Sequence, residues 1–386
     1  MPRTDSFRLL APGKILFGCG TIAQVGEQAA ALGDRALVVT GGSSLRESGN
    51  LEAIVGHLQE AAVEATVFDG VEPEPSIKTV DEGREALRAG SCRVVVAIGG
   101  GSVLDVGKAI GALAHEQAPT EVYHSGREIT APGVPIIAAP TTSGTGSEVT
   151  PNSVLTNPET GVKASIRGGD LMPKVAIVDP ELTVNMPPEI TAHSGLDALT
   201  QAIESYTSKG ANPISDLLAR DGVRRIAGSL RQAYADGSDL AAREEVALGS
   251  LMAGMALASA RLGLVHGLAH PVGAAYHIPH GLACAILLPH VMRLNLEAAA
   301  PRYALLAGDL GLDAGEDARG ARSLLAWVEE LGRELGAAAP LSDFGASEDD
   351  IPHMIEPTLS SGSTKHNPRP VTEADVVSVL RAAISG

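Results

Sequence analysis

Along the first half of the chain, short apolar runs alternate with segments of helical periodicity. RALVVT (35–40) and RVVVAI (93–98) are continuous, rich in β-branched residues and followed by glycines. Runs of this kind predict strands covered on both faces. PIIAAP (135–140) and VAIV (175–178) read as further buried strands, and 51–62 and 103–114 as helices. Strand alternating with helix predicts a parallel, doubly wound sheet. The pattern changes after Asp179-Pro180. Strand signals nearly vanish, and Ala- and Leu-rich helical periodicity takes over in 189–207, 213–234, 240–260 and 282–294, the first of these after Pro187-Pro188. The expectation is two domains, an α/β domain over 1–184 and an all-α domain over 185–386. SSGSTKHNPRP (360–370) reads as a polar loop before a last helix, and there is no internal repeat.

Composition supports two ordinary cores. The 386 residues are 44% hydrophobic and 19% charged, as in globular domains rather than disordered chains. Aromatics are only 3%, so the cores rest on Ala, Val, Leu and Ile. A net charge of −17 disfavours nucleic acid and anionic membrane as partners, since both need clustered Lys and Arg. Cys19, Cys92 and Cys284 are too few and too scattered for a disulfide framework or a cysteine-based zinc site. The opening MPRTDSFRLL has no apolar signal core, and no uninterrupted apolar stretch approaches the roughly 18 residues of a membrane span. A cytoplasmic protein is expected.

Two loops carry candidate chemistry. Gly99-Gly100-Gly101-Ser102 joins a buried strand to a helix. Glycines there let backbone approach an anion, and a helix N-terminus offers free N–H groups, which suits a pyrophosphate as well as an ordinary tight turn. PTTSGTGSEVT (140–150) follows the next strand and combines two glycines with six hydroxyl side chains. In an open parallel sheet both loops lie at the carboxyl edge, where ligands bind. Neither has the GxGxxG spacing, so this is not the usual Rossmann fingerprint.

The second half holds a histidine cluster. His266, His270, His277, His280 and His290 fall in an apolar segment, LGLVHGLAHPVGAAYHIPHGLACAILLP, with no Lys or Arg between Leu262 and Met292. His266 and His270 are i and i+4, and so share a helix face; His280 opens another helix signal after Pro279. Upstream, Asp197 and Gln201 have the same spacing in GLDALTQAIESY. A carboxylate, an amide oxygen and two imidazoles make a candidate site for Fe²⁺ or Zn²⁺. Any single histidine is more simply a hydrogen-bonded core residue; the constellation favours a metal. His193 and His290 read as structural or peripheral.

Together these residues resemble the iron-containing alcohol dehydrogenase family, whose fold is related to that of dehydroquinate synthase. The likeness runs over nearly the whole chain: PGKILFGCGTI, GGGSVLDVGKAI, PTTSGTGSEVT, VDPELT, GLDALTQAIESY, VHGLAHPVGAAYHIPHG and the closing NPRP. The resemblance implies an N-terminal dinucleotide-binding α/β domain, a helical metal and substrate domain with the active site in the cleft, and a homodimer. It implies metal ligands at Asp197, Gln201, His266 and His280, with His270 beside the metal and catalytic. It implies NAD(P) contacts from Gly99, Gly100, Gly101, Ser102, Thr141, Thr142 and Lys163, and hydride transfer between a small alcohol or aldehyde and the nicotinamide.

Two departures stand out. The family usually has a histidine where this chain has Gln201, and an amide oxygen is a neutral, weaker ligand. Many NAD-linked members carry an aspartate after the first strand, where this chain reads Gly41, Gly42 and Ser43 with Arg46 nearby. Without that carboxylate there is neither an acceptor for a 2′-hydroxyl nor a repulsion toward a 2′-phosphate, so NADP(H) is expected to be accepted, and Gly41→Asp to shift preference toward NAD(H). Alternatives on the same architecture are a metal-independent reductase similar to maleylacetate reductases and a hydroxyacid–oxoacid transhydrogenase. A dehydroquinate synthase-like lyase would need clustered Lys and Arg, which the histidine segment lacks. A silent nucleotide-binding protein would bind cofactor without turnover.

Overall fold

A computed structural model describes residues 6–386; the first five residues of MPRTDSFRLL lie outside the described residues. The chain divides into two compact units, Leu10–Asn185 and Met186–Gly386, the latter joined by residues 6–9.

The first unit has eight strands: β1 (Lys14–Phe17), β2 (Arg35–Val39), β3 (Glu64–Phe68), β4 (Val94–Gly99), β5 (Ile136–Pro140), β6 (Asn152–Thr156), β7 (Lys163–Arg167) and β8 (Val175–Val178). Its helices are α1 (Val25–Ala30), α2 (Ser44–Glu47), α3 (Asn50–Glu60), α4 (Ile77–Ala89), α5 (Gly101–Ala112) and α6 (Thr120–His124). Six strands form one sheet in the order β1-β8-β5-β4-β2-β3, with every pair parallel. β6 and β7 form a separate antiparallel hairpin. The continuous apolar runs are explained by burial on both sides. Leu37, Val39, Val95 and Ala97 belong to one core, and Ala36, Val38, Val94, Val96 and Ile98 to the other. Strand order reverses at β2, whose neighbours are β3 and β4, so the β2/β4 crevice is the topological switch point of this sheet, the place where open parallel sheets bind ligands.

The sequence pattern did not reveal β1, β3 or the hairpin. β1 and β3 are the two edge strands and bury little of their surface, so they lack a continuous apolar run. α5 starts at Gly101, two residues before its first apolar position, Val103.

The second unit is all helical among the described residues: α7 (Pro188–Thr207), α8 (Pro213–Ala235), α9 (Leu240–Ala260), α10 (Leu264–Tyr276), α11 (His280–Asp309), α12 (Asp317–Glu334), α13 (Ile351–Ser360) and α14 (Glu373–Ser385), apart from short 3-10 turns. α7 is buried continuously from Gly195 to Thr207, which makes it the central helix of this core. α11 runs through Pro289 and Pro301 and so extends well past the 294 boundary that the sequence pattern indicated. One stretch of α11 is as long and apolar as a membrane span, but 61% of it is buried inside the unit, as in a core helix.

The register of α5 on the sheet depends on a glycine. A Cβ at Gly107 would stand 2.4 Å from the Ala97 Cβ on β4, so the helix approaches as closely as a side chain-free position permits. Gly56, inside α3, has nothing within 4 Å of its would-be Cβ. Gly107→Val is expected to lower stability by roughly 1–3 kcal/mol through overpacking, while Gly56→Ala raises it by roughly 0.5–1 kcal/mol. Urea denaturation of both variants checks the pair, and a neutral Gly107→Val would contradict the close approach.

Candidate functional site

In the α/β unit, the two glycine turns lie side by side. Gly41 and Gly42 follow the carboxyl end of β2, and Gly99 ends the adjacent, parallel β4. α5 begins at Gly101 with Gly100 at its cap position and no side chain capping it, so its first N–H groups are left open, an arrangement that can accept an anion. Thr141 and Thr142 follow β5, the next strand over, and the Thr141 N–H donates to the Gly99 carbonyl at 3.0 Å. A Cβ at Gly101 would stand 2.6 Å from the Thr145 methyl, so the hydroxyl loop rests against the start of α5. Lys163 sits on the hairpin, where its ammonium pairs with Glu74 in the loop after β3. Ser43 stands at the N-cap position of the four-residue α2 without a side-chain capping bond, and Arg46 within it pairs with Asp69 at 2.9 Å.

One expectation fails on sterics. A side chain at Gly41 would place its Cβ 2.4 Å from the Val71 carbonyl oxygen, so Gly41→Asp has no room. Gly42, at φ 61°, opens onto free space, and Asp tolerates that left-handed conformation better than most residues.

Two residues that the sequence reading did not single out hold the hydroxyl loop. Lys108 on α5 is fully buried; its ammonium donates to the carbonyls of Ser147 (3.0 Å), Thr150 (3.4 Å) and Asn152, and pairs with Asp105 at 3.0 Å. The Asp105 carboxylate accepts from the Ser147 hydroxyl and from the Val154 N–H. Burial pushes the Lys108 ammonium below its usual range, against the opposing pull of Asp105.

In the helical unit, three helices each contribute a pair at i, i+4 spacing: Asp197 and Gln201 on α7, His266 and His270 on α10, His280 and Cys284 on α11. Single donor atoms of Asp197, His266, His280 and Cys284 all lie within 4.8 Å of one another. The His266 Nε2 stands 3.3 Å from Asp197 Oδ1, and the His280 Nε2 3.9 Å from the same oxygen. The His270 ring stacks on that of His280, with centroids 5.2 Å apart. Gln201 donates its amide N–H to Asp197 Oδ2 at 3.0 Å, and its own Oε1 is buried without a hydrogen-bond partner.

Glu204, one turn beyond Gln201, was also missed by the sequence reading. Its carboxylate accepts from the Val265 N–H at 2.7 Å and the His266 N–H at 3.4 Å, in the first turn of α10, and lies 2.7 Å from His266 Nδ1. The proton of neutral His266 therefore belongs on Nδ1, which leaves the Nε2 lone pair facing Asp197. Two acceptors 3.3 Å apart need a cation between them, either a second proton on His266 or a metal. Burial opposes charge on both partners. Yet His266 is held well above its ordinary range by Cys284, Asp197 and Glu204, and Asp197 below its own by the hydrogen bond and charge of His266 and by His280 and Gln201. Burial pushes the Cys284 thiol up to about 12. A buried set of hard and borderline donors with an unpartnered amide oxygen beside it fits a divalent metal such as Fe²⁺ or Zn²⁺.

His193 and His290 stay outside this group, as expected, and burial pushes the His290 imidazole down to about 4. His277 sits in the left-handed turn that links α10 to α11. Asn367 of the closing NPRP is buried; it exchanges amide hydrogen bonds of 2.9 Å with Asn295 on α11 and accepts from the Leu264 N–H, which ties the tail to the start of α10.

An uncapped helix at the switch point of a parallel sheet, and a buried carboxylate–imidazole cluster in a helical unit, define a nucleotide-linked, metal-dependent class of enzyme. The model of the iron-containing alcohol dehydrogenase family matches residues 12–180, and that of the C-terminal part of the same family matches 191–384. The chain belongs to the iron-containing alcohol dehydrogenase family. It is 41% identical to a 1,3-propanediol dehydrogenase of Klebsiella pneumoniae over 387 aligned residues, with 98% of both chains covered. It is 34% identical to an NADPH-dependent butanol dehydrogenase of Clostridium saccharobutylicum, again with 98% of both covered. A crystal structure of 1,3-propanediol oxidoreductase superposes with a TM-score of 0.94 at 42% identity, covering 98% of this chain and all of the other. This protein is thus an oxidoreductase acting on CH–OH groups, an alcohol dehydrogenase or aldehyde reductase that uses NAD(P).

Glu204→Ala would leave three buried donors of α10 without an acceptor. The metal-free protein is expected to lose roughly 2–4 kcal/mol. Urea denaturation of the chelated variant against the chelated wild type checks this; a loss below about 1 kcal/mol would mean that Glu204 does not support the helix.

Proposed function

We propose that the chain is a metal-dependent dehydrogenase of small alcohols, working in reverse as an aldehyde or ketone reductase, with its metal held among Asp197, Gln201, His266 and His280. The observation that supports this best is the convergence of donors from three helices beside the buried, unpartnered oxygen of Gln201. The names of the relatives, a propanediol and a butanol dehydrogenase, support small primary alcohols as substrates. Fe²⁺ is the first expectation for the ion and Zn²⁺ the second.

When bound, a divalent cation here supplies Lewis acidity toward an alcohol or carbonyl oxygen. The chain's own residues do the positioning. Glu204 fixes the ring of His266 through Nδ1, and Gln201 fixes the carboxylate of Asp197 through Oδ2. His270, stacked on His280, relays the proton between the alcohol hydroxyl and solvent. In the α/β unit the uncapped start of α5 and the glycines before it receive the pyrophosphate, with Thr141, Thr142 and Lys163 as further contacts and Gly41, Gly42 and Ser43 around the adenosine ribose.

Exhaustive chelation should abolish alcohol oxidation, and added Fe²⁺ or Zn²⁺ should restore it. Metal content and NAD(P)H absorbance on the same sample check this. Full activity with no detectable metal would make the protein a metal-independent reductase and overturn the reading.

NADP(H) should be accepted, because Arg46 and the donors around Ser43 replace an acidic residue after β2. Gly42→Asp should lower kcat/KM with NADPH by roughly tenfold, the order of one unfavourable charge pair near the surface, and change that with NADH little. Negligible activity of the wild type with NADPH would refute the cofactor assignment.

A further inference from the structure

Cys284 lies one helical turn beyond His280, so both side chains leave α11 on the same face. Its Sγ stands 3.6 Å from His280 Nε2 and 3.8 Å from His266 Nε2. In a tetrahedral site with metal–sulfur bonds of about 2.3 Å and metal–nitrogen or –oxygen bonds of about 2.0–2.1 Å, sulfur and nitrogen sit about 3.6 Å apart and nitrogen and oxygen about 3.3 Å apart. The 3.6 Å and 3.3 Å separations match those edges, the 3.8 Å one is within about 0.2 Å of its edge, and the 3.9 Å between His280 Nε2 and Asp197 Oδ1 is the longer edge that would close on a shared ion. Gln201 is the poorer fourth donor, since its amide N–H is already committed to Asp197 and its oxygen is neutral.

We propose that Cys284 is a metal ligand, its thiolate completing the set of Asp197, His266 and His280 and supplying the strong donor that Gln201 lacks. The proposal rests on the metal-centre reading above. The sulfur–metal bond forms as the S–H proton is released to solvent, so metal uptake takes up no electrons and frees one proton from this residue. A soft thiolate shifts preference toward Zn²⁺ over Fe²⁺ relative to an all-nitrogen-and-oxygen site. The chain's other cysteines take no part: Cys19 is exposed and Cys92 is buried in the core of the α/β unit.

Cobalt(II) titrated into the chelated full-length protein tests this without recourse to activity. The expected result is a near-ultraviolet sulfur-to-cobalt charge-transfer band at one bound cobalt per chain. The band should survive in a Cys19→Ser/Cys92→Ser double variant and vanish in Cys284→Ser and Cys284→Ala, which still bind cobalt. In those variants the Zn²⁺ dissociation constant, read by competition with a chromophoric chelator, should rise by at least roughly 10- to 100-fold, the range for losing a supporting partner of a metal site. Cobalt bound by the wild type with no such band would overturn ligation by Cys284 and leave the metal centre standing. A band that persists in both Cys284 variants would do the same. No cobalt bound at all would overturn the metal centre itself, and the ligation with it.

Discussion

The helical unit's chemistry depends on one buried carboxylate. Glu204 meets two needs of α10 at once: it satisfies backbone N–H groups of the first turn, which no earlier turn could accept, and it takes the proton of His266 Nδ1. The first contact fixes where α10 begins, and the second fixes which nitrogen of His266 faces Asp197. Helix position and tautomer are therefore set by the same two oxygens. Asn367 reinforces the arrangement from the other side by accepting from Leu264 and pairing with Asn295, so the histidine helix is held at its start by a helix before it and a loop after it.

A comparable division of labour appears in the α/β unit. The start of α5 has no side-chain cap, and the rest of that helix does the holding. Lys108 gathers two carbonyls of the hydroxyl loop and the Asn152 carbonyl at the start of β6 around one ammonium, and Asp105 accepts from the loop's Ser147 hydroxyl and from the Val154 N–H of β6. A buried ammonium with this many acceptors is far less costly than an unpaired one. The loop therefore needs few apolar contacts of its own, which is why a segment of small hydroxyl residues has a defined path.

Much of this was legible in the sequence because it is periodic. Continuous β-branched runs gave the central strands, and i, i+4 spacing brought Asp197 with Gln201 and His266 with His270. The edge strands were silent because half-exposed strands carry no continuous apolar run. Glu204 was missed because its partner lies 62 positions away in the chain, although an acidic residue at i+7 from Asp197 on a buried helix was the available signal. Cys284 fits no pattern made of several cysteines, and its i, i+4 spacing from His280 on α11 is the only signal it carries in the sequence. The crowding at Gly41 involves the carbonyl of Val71, thirty positions away, and no local pattern could announce it.

The donors of the cluster come from α7 and from the consecutive helices α10 and α11, with Asp197 69 positions before His266, all inside one unit. An ion shared among them is also a removable cross-link, which closes loops that the unfolded chain would have to close at a cost in entropy. By mass action, free metal at a hundredfold excess over its dissociation constant stabilises the folded form by about 2.7 kcal/mol. With the metal centre proposed above, durability and catalysis in this unit draw on the same ion. A molecule starved of metal would be idle and also shorter-lived, so the amount of protein that persists would track the metal supplied to it.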